Sequence, residues 1–81
     1  MKIYWSGDSK NIIGGKVRAL RKAQGMTQKA LATKIQLAGY DFNDLTILRI
    51  ENGTRFVADY ELKVLAQVLN VTYKELLDHD K

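Results

Sequence analysis

Apolar residues recur along the chain at intervals of three and four, and each run is closed by a glycine, an asparagine or a short polar residue. That spacing places the apolar side chains on one stripe of a helix, so the pattern predicts five helices. Only residues 2–5 suggest a strand, able to pair weakly. The first helix is predicted over about residues 11–24, with Val17 and Leu20 inward, Lys16, Arg18 and Lys22 on the outer faces, and Gly25 to end it. Thr27 caps a short second helix over residues 28–36, where Ala30, Leu31 and Ile35 form the buried stripe. Asn43 caps a third over residues 44–52, with Ile47 and Ile50 inward and Gly53 as its stop. A fourth over residues 59–69 buries Leu62, Leu65, Ala66 and Leu69 and ends at Asn70. Thr72 and Glu75 form a T-x-x-E capping box for the fifth, residues 73–78, with Leu76 and Leu77 inward.

Length and composition narrow what such a bundle does. Eighty-one residues allow one domain, expected over residues 11–79 behind an N-terminal extension of residues 1–10. With no cysteine, neither a disulfide framework nor a thiolate zinc site holds it, and apolar burial must supply its stability. Residues 1–10 lack the apolar stretch of a secretion signal, and the apolar runs are too short to span a bilayer, so a cytoplasmic location is expected. Charge is uneven: residues 1–55 carry a balance of +6 and residues 56–81 one of −2, within a net +4. A basic front half suits phosphates, though a solvated surface produces similar imbalances. Enzyme chemistry is poorly supported. His79 is the single histidine and lies in the tail, and no carboxylate pair has an evident electrophile or metal partner, so no metal, cofactor or small-molecule ligand is expected.

Three blocks, M-T-Q-K-A-L-A at 26–32, R-I-E-N-G at 49–53 and V-L-A-Q-V-L-N-V-T at 64–72, occur in order. Together they resemble the Cro and phage-repressor type of helix-turn-helix domain, the XRE family, over residues 12–77. The resemblance implies an all-α, compact five-helix lambda-repressor-like domain. Its second helix would lie across the DNA backbone and its third enter the major groove, as a homodimer on double-stranded DNA, in a transcriptional regulator, a repressor by preference. The alternative is a protein-interaction module on the same fold, such as an antitoxin or phage accessory factor.

Matching to the family motif places Asp44, Leu45 and Arg49 nearest the base edges. Arg49 can donate two hydrogen bonds to guanine, and Leu45 can cover a thymine methyl or pack against the preceding loop, which is the preferred reading for Leu48. Asp44 either accepts from cytosine or is simply a first-turn residue favoured by the helix dipole, and the second is preferred. Thr27, Gln28, Thr46, Asn52, Thr54 and Arg55 are assigned to the DNA backbone, with Thr27 also a cap and Arg55 favoured over Asn52 and Thr54 for its charge. In the family the acidic residue of the R-I-E-N-G block pairs with an arginine of the first helix, which implies a partly buried pair of Arg21 and Glu51.

The chain departs from the pattern in its long connection between the second and third helices, Q-L-A-G-Y-D-F at 36–42. Leu37, Tyr40 and Phe42 there call for burial, so the second helix is expected to run on by about a turn and the connection to pack back on the core. Ala58 stands where the family often has a hydroxyl cap, a role that passes to Asp59. Trp5 lies before the motif and would cover the core or an interface between subunits.

Overall fold

The computed structural model describes residues 9–78; the expectations for residues 2–5, Trp5 and His79 lie outside them. Five helices follow one another with no strand among the described residues: α1 (Gly14–Ala23), α2 (Gln28–Leu37), α3 (Asp44–Glu51), α4 (Asp59–Leu69) and α5 (Tyr73–Leu77). Val17, Leu31, Ile35, Ile47, Ile50, Val64, Leu65, Leu69 and Leu76 are fully buried at the centre, one or more from each helix. Leu20, Leu62 and Leu77 pack only at the edge of this core. In α2 the buried small residue is Ala32 and not Ala30, which is half-buried beside the cap.

Local chemistry sets the helix ends. Thr27 accepts the Ala30 N–H at 3.0 Å and Asn43 accepts that of Thr46 at 2.9 Å, each satisfying a first-turn donor without an intrahelical partner. Thr72 and Glu75 close their reciprocal box at 3.0 and 2.8 Å. Asn70 takes the left-handed conformation, φ 59°, after α4. Asp59 does not cap α4. The N-cap stays at Ala58, which has no side-chain oxygen, and Glu61 supplies half a box by accepting the Ala58 N–H at 3.0 Å.

The first helix begins three residues later than its apolar pattern suggests. Asn11 is not its first turn but a bridge: Oδ1 accepts from the N–H groups of Ile13 and Gly14, while Nδ2 donates to the carbonyls of Ile50 and Arg55. One amide thereby caps α1 and fastens it to the exit of α3. Gly14 allows the close approach, because a Cβ there would stand 2.9 Å from the Glu51 carbonyl oxygen and nearer still to that of Ile50.

The connection over residues 38–43 is ordered by packing. Phe42 is buried beneath the Arg55 guanidinium, 5.5 Å from its ring centre, and Tyr40 stacks on Tyr60 at 6.3 Å. The side-chain amide of Gln36 donates to the Phe42 carbonyl. Two expectations need correcting. The second helix gains one residue, Leu37, and not a turn. Leu37 itself is 84% exposed, because it lies two positions beyond the buried Ile35 and therefore on the opposite face of a 3.6-residue helix.

Candidate nucleic-acid interface

With Ile47 and Ile50 fully buried, α3 turns Asp44, Leu45, Leu48 and Arg49 outward. Arg49 is exposed and has no ion-pair or side-chain hydrogen-bond partner among the described residues. Leu45 and Leu48 are 45% and 41% exposed. The expected packing of Leu48 against the preceding loop is not found. One position past the buried Ile47, it is carried about 100° round the helix to the edge of a cleft between α1, α2 and α3. Asp44 accepts the N–H of Leu45 at 3.0 Å, a first-turn carboxylate satisfying an unpaired donor at the positive end of the helix. Thr46 belongs to the cap: its hydroxyl accepts from the Asn43 N–H at 3.3 Å and is 3.0 Å from Asn43 Oδ1.

Arg21 and Glu51 meet beneath this face. Nε and Nη2 of Arg21 donate to the two carboxylate oxygens at 2.6 and 3.0 Å, and Nη1 donates to the Met26 carbonyl at 2.8 Å. The side chains are only 9% and 4% exposed. Hydrogen bonding to Glu51 is the main cause raising the Arg21 pKa, against burial that would lower it. Gln28 joins the pair, its amide donating to Glu51 Oε1 at 3.2 Å. The first residue of α2 is thus held to the last residue of α3, leaving Gln28 one further amide N–H.

Beyond α3, Gly53 adopts φ 80° with the Ser9 hydroxyl where a Cβ would be, and Asn52 Oδ1 accepts from the N–H and hydroxyl of Thr54. Arg55 is committed differently from what its charge suggests. Its two terminal nitrogens grip Glu61 at 2.8 and 3.0 Å, and Nη1 also donates to the Phe56 carbonyl. Only Nε–H and one Nη2–H remain for another ligand. The sequence carries one signal for this pair: Glu61 stands three residues after Ala58, where an acidic residue reaches back to the helix start and presents its other edge to the preceding loop.

The Glu61 carboxylate is held below the usual range, chiefly by hydrogen bonding from Arg55, with burial opposing and the Ala58 N–H assisting. A folded-state pKa below the unfolded one stabilises the fold above the unfolded value and loses that stabilisation as pH falls through the folded value. Glu61→Gln should therefore lower the melting temperature at neutral pH, and the gap from the parent should close as pH is taken below about 4.5, the ordinary glutamate value. A gap independent of pH in thermal melts would remove the electrostatic account.

Residues 17–76 match the Helix-turn-helix family. This chain belongs to the Cro/C1-type helix-turn-helix family. It is similar to the Antitoxin PezA of Streptococcus pneumoniae, 33% identical over 70 residues, which are 86% of this chain and 41% of the relative. The chain thus spans less than half the length of that curated relative. Its fold is similar to the crystal structure of the DNA-binding domain of BldD, at 28% identity and TM-score 0.74, covering 91% of this chain and all of that one. As a helix-turn-helix domain, this chain has α2 and α3 as its motif, joined by a connection longer than the usual short turn.

Proposed function

We propose that this chain binds double-stranded DNA sequence-specifically as a transcriptional regulator, a repressor acting as a homodimer in the cytoplasm, with α3 in the major groove. The observation that carries the reading is the outer face of α3. Arg49 is exposed and unpaired among the described residues, and Leu45 and Leu48 are unburied, although the same helix sends Ile47 and Ile50 wholly into the core. The likeness to a DNA-binding domain and membership of the family support it.

In this reading Arg49 reads guanine and Leu45 covers a thymine methyl, while Asp44 serves the helix end. The remaining N–H of Gln28, the hydroxyl of Thr27, and Asn52 hold backbone phosphates. Thr46 and Thr54 contribute through the turns they close. Arg55 reaches the backbone only with the two N–H groups that Glu61 and Phe56 leave, so its larger task is to hold the loop.

Selection from a random duplex pool, followed by titration against salt, tests this. Affinity should fall steeply as salt rises, and a selected palindrome would give specificity and symmetry together. Arg49→Ala should cost about 1–3 kcal/mol on the selected duplex and relax preference at one base pair. No duplex affinity even at low salt would sink the reading. The likeness to an antitoxin supports a second one, in which the face of Leu45 and Leu48 meets a protein. A stable stoichiometric protein complex from a chain without DNA affinity would favour it.

A further inference from the structure

Arg18 and Lys22 lie four residues apart on α1, hence on one side of it, and both are exposed. Neither side chain has a recorded ion-pair or hydrogen-bond partner among the described residues. Both line a cleft of about 430 Å³ whose other walls are Arg21, Gln28, Leu48, Glu51 and Asn52. Three cations face a single carboxylate, a formal balance of +2.

That carboxylate is already consumed. Glu51 accepts from Arg21 through both oxygens and from Gln28 through one of them. The cleft therefore offers a guanidinium, an ammonium and amide N–H groups to a ligand, and no unsatisfied anionic acceptor. Such a lining is complementary to an anion. Its openness, its position against the outer face of α3 and the apolar Leu48 in its wall suit one link of a polymer, whose phosphate meets the cations while its sugar lies on the leucine.

We infer that this cleft seats a phosphodiester of the nucleic-acid backbone, with Arg18 and Lys22 of α1 as direct phosphate ligands beside the helix-turn-helix. The inference rests on the DNA-binding reading and adds to it a contact from outside the two motif helices. These contacts carry no sequence information; they position α3 and steepen the salt dependence.

The test compares the parent with the double variant Arg18→Gln/Lys22→Gln. A control, Lys63→Gln/Lys74→Gln, removes the same charge from α4 and α5. Each released phosphate contact is worth a slope of about 0.9 in log affinity against log salt. The α1 double variant should flatten that slope by about 0.9 for each chain bound, one phosphate per cleft, weaken selected and unrelated duplexes by the same factor, and leave the preferred sequence unchanged. The control should leave the slope as it was. If the parent binds duplex and the α1 variant keeps its slope, or if both double variants flatten it equally, the cleft assignment is overturned while DNA binding stands. A parent without duplex affinity overturns both. Inorganic phosphate, titrated at constant ionic strength without DNA, should produce no saturable shift in the Arg18 and Lys22 side-chain resonances. Saturation by the free ion would make this a small-anion site and overturn the backbone assignment.

Discussion

Glu51→Ala is expected to destabilise the domain by about 3–5 kcal/mol, the range for removing one partner of a buried ion pair. The cost comes from what is left behind. Arg21, with its side chain 9% exposed, would keep its charge and its bond to the Met26 carbonyl but lose both bonds to the carboxylate. The Gln28 amide would lose its acceptor in the same step. A domain of this size has a total stability of the order of 5–10 kcal/mol, so the variant should be largely unfolded in mild denaturant. Replacing both partners at once, Arg21→Met with Glu51→Leu, removes the uncompensated charge together with the pair. It should recover most of the loss, because a buried pair is roughly equivalent to apolar residues of similar volume. Urea titrations of the two variants decide the matter. A cost below about 1 kcal/mol for Glu51→Ala would be that of a surface ion pair and would contradict the buried geometry.

Such a pair illustrates which features a single sequence exposes. The five helices were readable because their apolar spacing and their caps are local: Thr27, Asn43 and Thr72 each act within three residues of themselves. Ile47 and Ile50 were readable for the same reason, and placing them inward turns Arg49 and Leu45 outward. Commitments between elements are a different matter: the Arg21–Glu51 pair, 30 positions apart, is implied only by the family resemblance, and periodicity reveals none of them. Arg55 carries the charge expected of a phosphate ligand, yet Glu61, six residues on, holds it bidentately, and no periodicity links a loop to the first turn of the next helix. Leu37 and Leu48 are exposed although apolar, because hydrophobicity alone does not say which side of a short helix meets its neighbours. Asn11 joins residues 39 and 44 positions away, and its type, a preferred cap, signals only the local half of that role.

The same junction yields the second large effect, and its sign runs against helix propensity. Alanine is favoured over glycine in a helix by up to about 1 kcal/mol, so Gly14→Ala would be stabilising if space allowed. Space does not allow it. The new Cβ would meet the carbonyl oxygens of Ile50 and Glu51, which are backbone atoms and cannot rotate away, and would stand 3.2 Å from Asn11 Oδ1. Relief requires α1 to lift from the end of α3, which strains the Asn11 bonds to Ile50 and Arg55 and then the Arg21–Glu51 pair. Overpacking typically costs 1–3 kcal/mol, and a clash against fixed backbone belongs at the upper end, about 3 kcal/mol. Gly15 is the internal control. It sits one residue along the same helix with nothing within 4 Å of its own Cβ position, so Gly15→Ala should stabilise by about 0.5–1 kcal/mol. Denaturant midpoints for the two variants should therefore move in opposite directions. If both rise, helix propensity governs this turn and the close approach of α1 to α3 is not a constraint on the fold.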